Sequence, residues 1–419
     1  MASRRETHTR YATPYRRWPV SLYNALASTG DWRKLFDPER LLRSAQKAAG
    51  ETELSDAPLM EPLTQLCKSI REEADLNPFG AFMQSTRIKT LITNRLRMDA
   101  LIRANPEWLE APDPDIVVIA GLARTGTTLL HRILCSDPDV RAIPSWETIN
   151  PAPLSGESGG EFSQRLKQAQ TASKFMNYVA PDFSAIHEMV PEGPEEDILL
   201  LDLTMMSQTA EALMHVPSWS KWLESADHVP AYEYLRKVLK VLIGLNPGER
   251  LVLKTPHHSE HLAALMTVFP EALIVRTYRD PAKTMPSCCS MMAHMYGVGS
   301  NRVDPHWVGE HWLAKSMLMS ANAQAAREAY PDRAFVDLLY ADLIADPVAA
   351  AEQIYEAWGH TLPDNVRAVA EVSTRRKSTS ARMRHVYRLE DFGLTATGVR
   401  AAFTDDISRF GIPEEKITT

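Results

Sequence analysis

The spacing of hydrophobic positions divides the chain near residue 113. Before that point apolar residues recur at helical spacing, as in DPERLLRSAQKAAG (37–50), which has a proline near its start and closes on Gly50. A second such stretch, RIKTLITNRLRMDALIRANP (87–106), is stopped by its final proline, and strand-like alternation is missing. The pattern therefore predicts a helical N-terminal region over 19–112, preceded by a flexible, basic terminus at 1–18.

After residue 113 short apolar runs alternate with helical patterns. The runs are IVVIA (116–120), RLVLKT (250–255), ALIVRTYRD (272–280) and AFVDLLYADL (334–343). Continuous apolar strands that alternate with helices are typical of a parallel sheet covered by helices on both faces. We therefore expect an α/β core over 113–419 built on a P-loop-like parallel sheet, with a mostly helical insertion at about 151–249.

The composition of the chain excludes some classes of protein but does not indicate a reaction. Hydrophobic residues make up 44% of the chain and charged residues 24%, which is ordinary for a globular protein. The net charge of −7 argues against a nucleic-acid partner. The sequence has no apolar stretch of the ~18 residues that a transmembrane segment needs, and its start lacks the apolar part of a secretory signal. We expect a cytoplasmic protein, and the sequence leaves homo-oligomerisation open.

Cysteine and histidine spacing gives no metal signature. The four cysteines, of which Cys288 and Cys289 are adjacent, show no zinc-binding spacing, and this favours a reduced protein. His257 and His261 stand four residues apart, but no third ligand is evident in the sequence. We therefore expect no bound metal.

The segment GLARTGTT (121–128) joins the first predicted strand to its helix and looks like a phosphate-binding loop. Gly121 and Gly126 keep the spacing of G-x-x-x-x-G-K-[ST], and Thr128 takes the hydroxyl position. Thr127 stands where that pattern has lysine. A strand that feeds a glycine loop and then a helix aims backbone N–H groups at one point, so the segment predicts an anion site.

The side chains of this loop indicate which anion chemistry it serves. Arg124 adds a planar charge that matches phosphate or sulfate oxygens, and the threonine hydroxyl groups, including that of Thr125, add donors. The missing lysine and the lack of a convincing magnesium-binding aspartate disfavour a P-loop kinase or NTPase, which stays an alternative.

Two motifs resemble those of sulfotransferases that use 3′-phosphoadenosine 5′-phosphosulfate (PAPS). GLARTGTTLLHRILCSDPDV (121–140) resembles the loop that binds the 5′-phosphosulfate. In IVRTYRDPAKTMPSCCS (274–290), Arg279 and Ser287 resemble the arginine and the later serine that bind the 3′-phosphate. Similar stretches span about 115 to 400 and resemble the large bacterial branch of the family, which also carries a helical N-terminal region.

The resemblance implies a set of site residues. Nucleotide binding is expected from Arg124, Thr125, Gly126, Thr127, Thr128, Arg279, Ser287 and Arg384. Arg384 enters because a late basic segment folds over the 3′-phosphate in the family. Catalytic roles are expected for Arg124 and for Lys254, whose place resembles that of a family lysine at the sulfuryl end.

Two residues compete for the role of general base. Glu147, in PSWETINP (144–151), resembles a glutamate base of tyrosylprotein and some bacterial sulfotransferases and is preferred. His257 is the alternative, because Lys254-Thr255-Pro256-His257 resembles the family's Lys-Thr-His with a proline inserted. The acidic stretch PEGPEEDILLL (191–201) is interpreted only as a helix start. The methionines at 285, 291, 292 and 295 are interpreted as core, with an apolar acceptor pocket as the alternative.

Taken with the resemblance, the sequence predicts an enzyme that moves a sulfuryl group from PAPS to an acceptor hydroxyl or amine. Transfer is expected to be in line, with a general base, and to release 3′,5′-ADP. The acceptor is expected to be a small molecule, a lipid or a glycan. A non-catalytic member that binds the nucleotide is a further alternative.

Overall fold

The computed structural model describes residues 11–417 except positions 13, 15, 29 and 155 and segments 158–161, 181–189 and 374–386. Its central sheet contains four parallel strands: β1 Asp115–Ile119, β2 Arg250–Lys254, β3 Leu273–Tyr278 and β4 Phe335–Leu339. Their spatial order is β2–β1–β3–β4. Ile119 lies opposite Lys254, and Tyr278 lies opposite Leu339, so the carboxyl ends of the strands share one edge.

Both faces of the sheet are covered, as the apolar runs predicted. Alternate strand residues point to opposite faces. Val118 and Leu253 belong to one buried apolar cluster, whereas Val117 and Val252 belong to another on the opposite face. The predicted parallel sheet with helices on both faces is therefore confirmed.

The N-terminal region is helical, as predicted. Its helices are α1 Trp18–Leu26, α2 Pro38–Ala49, α3 Met60–Glu73, α4 Pro78–Ala104 and α5 Pro106–Glu110, with a 3₁₀ turn at Trp32–Phe36. Phe36, Leu63 and Ile88 from these elements share one apolar cluster with Val118 of the sheet. The helices therefore build part of the core that supports the sheet.

The predicted flexible terminus at 1–18 is only partly described. Residues 1–10 lie outside the described residues. Tyr11 is buried, and its hydroxyl group lies 3.1 Å from Ser290 Oγ. At least this position of the segment therefore packs on the body of the protein.

Between β1 and β2 the chain is mainly helical. The helices are α6 Thr127–Leu134, α7 Ser145–Ile149, α8 Ser163–Val179, α9 Ile198–Leu201, α10 Thr209–Leu213, α11 Pro217–Ser225 and α12 Val229–Leu245, with a 3₁₀ turn at Asp202–Thr204. Short helices α13 His257–Glu260 and α14 Leu262–Val268 lead from β2 to β3.

The part of the chain after β3 is also mainly helical. After β3 come α15 Pro281–Gly299 and α16 Pro305–Ala329, and after β4 come α17 Tyr340–Ala345, α18 Pro347–Ala357, α19 Asp364–Ser373, α20 Ala396–Ala402 and α21 Thr404–Phe410, with a 3₁₀ turn at Leu389–Phe392. Among the described residues, none of the helices is both long and apolar enough to cross a membrane.

The turn from β3 to α15 shows how the sequence positions the side chain of Arg279. Asp280 caps α15 by accepting from the N–H of Ala282 at 2.9 Å, and Pro281 begins the helix. Arg279 is thereby held between strand end and helix start. It lies on the same sheet edge as the loop that follows β1, which is where open α/β sheets bind ligands.

Candidate active site

The loop after β1 is held in shape by its own side chains and by β3. Arg124 (φ 71°) and Gly126 (φ 96°) adopt left-handed backbone conformations that curl the chain. Thr125 Oγ1 lies 2.6 Å from a carbonyl oxygen of the loop and 2.6 Å from Thr277 Oγ1 on β3. Gly121 has no room for a side chain, since a Cβ would lie 2.1 Å from Thr277 Oγ1. The loop is therefore fixed in front of the first turn of α6.

The threonines of the loop divide between two roles. The hydroxyl group of Thr125 is buried and bonded within the fold, and a role for Thr125 in nucleotide binding stays a prediction. Thr127 and Thr128 begin α6 and line a cavity, together with the exposed side chain of Arg124. Donors for an anion therefore face this cavity from the loop and from the helix start.

The cavity has a volume of about 210 Å³ and mostly apolar walls. Its larger apolar side chains are Leu122, Ile198, Leu213, Met291, Met292, Met295, Trp312 and Met319. Three of the four methionines considered from sequence, Met291, Met292 and Met295, line this cavity, whereas Met285 is core at 2% exposure, and an acceptor-binding role stays a prediction. Burial raises the pKa of the wall residue Cys288 to about 12, so its thiol is protonated at neutral pH.

A carboxylate and a lysine meet at the polar side of this cavity. Glu196 lines it, and Glu196 Oε1 accepts a hydrogen bond from Lys254 Nζ at 2.5 Å. Lys254, at the end of β2, is itself buried. The acidic stretch 191–201 is thus more than the helix start that was predicted, because one of its members reaches the cavity.

The neighbouring acid, Asp197, fixes the backbone beside this pair. Its Oδ1 accepts from the N–H of Lys254 at 2.8 Å, and its Oδ2 lies 2.9 Å from His258 Nε2. Burial alone would raise the pKa of Asp197, but the charge and hydrogen bond of His258 hold it below its usual value. Asp197 is therefore an ionised anchor for the end of β2.

Arg279 contacts the loop after β1 and forms an ion pair with a carboxylate. Its Nε and Nη2 donate to the two carboxylate oxygens of Glu415 at 2.7 and 2.9 Å. Its Nη1 donates to the carbonyl of Arg124 at 3.2 Å, and the guanidinium lies 3.9 Å from the ring centre of Tyr340. A guanidinium fork fits carboxylate and phosphate oxygens alike, so this position can bind an oxyanion.

Two residues that are near Arg279 along the chain carry buried donors without partners. Ser287, on α15, is buried, and its Oγ has no hydrogen-bond partner among the described residues. The same holds for Nε and Nη1 of Arg276, on β3. Arg276, Arg279 and Thr284 line a small cavity of about 20 Å³. Because buried polar groups are normally bonded, these orphaned donors indicate a missing acceptor.

Glu147 lies away from this arrangement. It is 2% exposed, its Oε1 accepts from Arg141 Nη2 at 2.7 Å, and it does not line the cavity. The N–H of Arg141 donates to Arg250 at 2.9 Å, where β2 begins, whereas Lys254 stands where β2 ends. The structure thus places the preferred base in a buried ion pair and Glu196 at the cavity.

His257 is also set back from the cavity. It is fully buried behind Pro256, which lines the wall. Burial first, and then His228, His258 and Lys315, hold the pKa of His257 well below its usual range. A buried imidazole that binds protons this weakly is poorly suited to take a proton from an acceptor. Arg384 lies in 374–386, outside the described residues.

Comparisons with known proteins agree with the site geometry described above. The model of the sulfotransferase family matches residues 114–364, which is more than half of the chain. The chain belongs to the sulfotransferase family. That match contains the loop, Lys254, Glu196, Arg279 and Ser287. No match was found among the curated proteins.

Two solved sulfotransferases share the fold. Sulfotransferase STF9 from Mycobacterium avium is 24% identical with a TM-score of 0.81, covering 90% of this chain and 98% of that one. Sulfotransferase STF1 from Mycobacterium tuberculosis H37Rv is 30% identical with a TM-score of 0.77, covering 88% and 98%. Both overlaps cover a larger share of this chain than residues 114–419 do. The fold shared with these two structures therefore includes part of the N-terminal helices.

Sequence reasoning missed Glu196 and Glu415. Glu196 follows Glu195 and precedes Asp197 directly before a buried helix, and three consecutive acids there were the available signal. Glu415 is 136 residues away from Arg279, and local pattern carries no sign of that contact.

Proposed function

We propose that this sulfotransferase moves a sulfuryl group from PAPS to a hydroxyl or amine of an acceptor and releases 3′,5′-ADP. The observation that carries the proposal is a single cavity lined both by donors for an anion and by a carboxylate that can accept a proton. Arg124, Thr127 and Thr128 face it with anion donors, and Glu196, paired with Lys254, faces it with a carboxylate.

Two features of the chain fit a donor with two anionic ends. The loop before α6 suits a phosphosulfate, since helix starts and backbone N–H groups favour anions. Arg279 holds the carboxylate oxygens of Glu415, and we infer that these stand where oxygens of the 3′-phosphate bind. The unpartnered Oγ of Ser287 supports this second end.

In the proposed step the acceptor oxygen forms a bond to sulfur while the bond from sulfur to the 5′-phosphate oxygen breaks. Glu196 takes the proton of the acceptor hydroxyl, because its carboxylate is the acidic side chain lining the cavity. Lys254 and Arg124 offset the charge that grows on the leaving phosphate. Glu147 and His257 are then residues of the surrounding structure.

The walls of the cavity favour an apolar acceptor. Methionines and Trp312 provide adaptable, polarizable surface, while Gln208 contributes a buried Oε1 without a partner among the described residues. A hydroxyl group carried on an apolar body, as in a lipid or a phenol, matches these walls. A glycan would leave many of its hydroxyl groups facing methionine side chains without partners.

Thermal unfolding with nucleotides tests the donor half. A ligand that binds only the folded state stabilises it by about 2.7 kcal/mol at a hundredfold excess over Kd. Without magnesium, 3′,5′-ADP should therefore raise the Tm clearly and 5′-ADP much less. Arg279→Ala should remove most of this difference, whereas the surface control Arg409→Ala, whose side chain pairs with Glu328, should keep it. Equal shifts from both nucleotides would contradict the 3′-phosphate assignment.

Transfer assays with a labelled sulfuryl donor test the acceptor half. A long-chain alcohol and an alkyl phenol should accept label, while sugars of similar size should not. Transfer to sugars alone would show that the acceptor assignment is wrong. Binding of 3′,5′-ADP without transfer to any acceptor in a lipid or metabolite extract would favour a non-catalytic member.

A further inference from the structure

Three histidines meet under the end of β2, behind the cavity wall. His228 immediately precedes α12, His257 begins α13, and His261 follows α13. All three are buried. The rings of His228 and His261 lie face to face with centroids 3.3 Å apart, and His257 lies 4.7 Å from His261.

Their ring nitrogens point to a missing ligand. Nδ1 of His228, both ring nitrogens of His257 and Nε2 of His261 are buried without a hydrogen-bond partner among the described residues. One nitrogen from each ring can be chosen so that all three lie within 4.8 Å of one another. The other nitrogen of His228, Nε2, lies 3.0 Å from the carbonyl oxygen of Leu223, which orients that ring and leaves Nδ1 free to coordinate.

The charges beside the histidines also favour a cation. Lys315 Nζ lies 3.2 Å from Glu211, 2.6 Å from Glu224 and 3.1 Å from Glu260, so one ammonium faces three carboxylates. With the imidazoles neutral, this group carries one negative charge in excess, or two when Glu260, whose pKa burial raises to about 7, is ionised. Glu260 Oε1 is also 3.6 Å from His261 Nε2, and its Oε2 has no hydrogen-bond partner among the described residues. A divalent cation would balance the excess.

We propose that His228, His257 and His261 bind one divalent transition-metal ion of the zinc type, with Glu260 beside it. Zinc takes imidazole nitrogens at about 2.0–2.1 Å in tetrahedral sites, which places those nitrogens roughly 3.4 Å apart. The longest of these nitrogen–nitrogen distances therefore has to shorten by up to about 1.4 Å through ring rotation; in particular the stacked rings of His228 and His261 must turn.

The ion would connect the start of α12 to the corner that follows β2. His257 adjoins Pro256, a wall residue of the cavity, so the metal would stiffen that wall from behind without entering it. Its role is structural, and it is independent of the proposed transfer reaction. The sequence suggested no metal because His228 stands far from His257 along the chain, and only the fold supplies it as a third ligand.

Metal analysis of the full-length protein tests the proposal. The chelator-stripped protein is dialysed against Zn²⁺ or Co²⁺, desalted, and analysed for metal by mass spectrometry. We expect about one ion per chain, and a visible absorption band typical of low-coordinate Co²⁺. His228→Gln and His261→Gln should lose the ion and the band. His360→Gln is the matched control, because His360 pairs with Asp115 and has no part in the cluster, and should retain both.

A second measurement keeps the test decisive if the glutamine variants fail to fold. The Tm of the wild type should fall when a chelator removes the ion and recover when Zn²⁺ is restored. Substoichiometric metal on the dialysed wild type, or equal metal on the cluster variants and His360→Gln, would overturn the proposal. A Tm that is the same with chelator and with Zn²⁺ would do so as well.

Discussion

Two buried polar regions of this protein differ in whether their donors and acceptors are partnered. Arg95, on α4, is 0% exposed, and it bonds Asp99, Ser55 Oγ and three backbone carbonyls. Tyr234 donates to Asp99 at 2.8 Å and stacks on the guanidinium. At the carboxyl edge of the sheet, by contrast, Ser287 Oγ has no partner among the described residues.

The contrast distinguishes structural polarity from functional polarity. Burying a polar group without a partner costs roughly 1–3 kcal/mol, so a fold keeps such groups only where something else compensates. Arg95 and Asp99 compensate each other and connect α4 to the chain at 55–58, to the 3₁₀ turn at Asp202–Thr204 and to α12. The unpartnered atoms of Gln208 and Arg276 belong to residues that line the two cavities, and that of Ser287 belongs to α15. Both sets of residues are buried, and they differ in whether their polar atoms have hydrogen-bond partners among the described residues.

The largest expected effect is at the carboxylate of the cavity. Glu196→Gln keeps shape and one hydrogen bond to Lys254 but removes the proton acceptor. Positioned general bases contribute about 10²–10⁴-fold, so we expect kcat to fall on that scale with 3′,5′-ADP affinity near that of the wild type. Steady-state transfer assays and nucleotide titration measure both.

Matched variants sharpen this prediction. Glu195→Gln changes the adjacent acid, which bonds Ser145 outside the cavity, and should cost far less. Glu147→Gln should act mainly on stability, because Glu147 neutralises the buried Arg141. If Glu147→Gln abolishes turnover at unchanged stability while Glu196→Gln retains it, the base is Glu147, as the sequence suggested.

The next effect concerns the fully partnered region. Arg95→Leu leaves Asp99 buried without its cation, and breaking such a pair typically costs about 3–5 kcal/mol. Arg43→Leu is the control, because Arg43 and Glu39 form a pair of the same spacing that is 67% and 71% exposed, and such pairs contribute roughly 0–1 kcal/mol. Urea unfolding measures both. Folded Arg95→Leu protein should bind 3′,5′-ADP like the wild type, and a selective loss of nucleotide binding would contradict the division of roles.

The sequence predicted those features that depend on local pattern. IVVIA, RLVLKT and ALIVRTYRD lie on the first three strands because buried parallel strands are continuously apolar, and GLARTGTT forms the loop because glycine and helix-start chemistry are local. The contacts of Glu196, Glu415 and His228 could not be predicted, because folding brings their partners close from distant parts of the chain. The strand order could not be read either, since pairing depends on packing between distant segments.

The smallest expected effect is at the contact between Arg279 and Glu415. On our assignment the carboxylate of Glu415 competes with the 3′-phosphate for the same guanidinium fork. The pair is partly exposed, at 21% and 29%, and pairs of this kind contribute about 0.2–1 kcal/mol, so its removal should tighten 3′,5′-ADP binding by up to about fivefold. Calorimetric titration of Glu415→Gln measures this change, and binding of 5′-AMP should stay the same because it carries no 3′-phosphate. Glu414→Gln is the control, since Glu414 pairs with Arg400. Weaker binding of 3′,5′-ADP by Glu415→Gln alone would instead show that Glu415 orients Arg279 for the nucleotide, and the carboxylate would then belong with the fully partnered region.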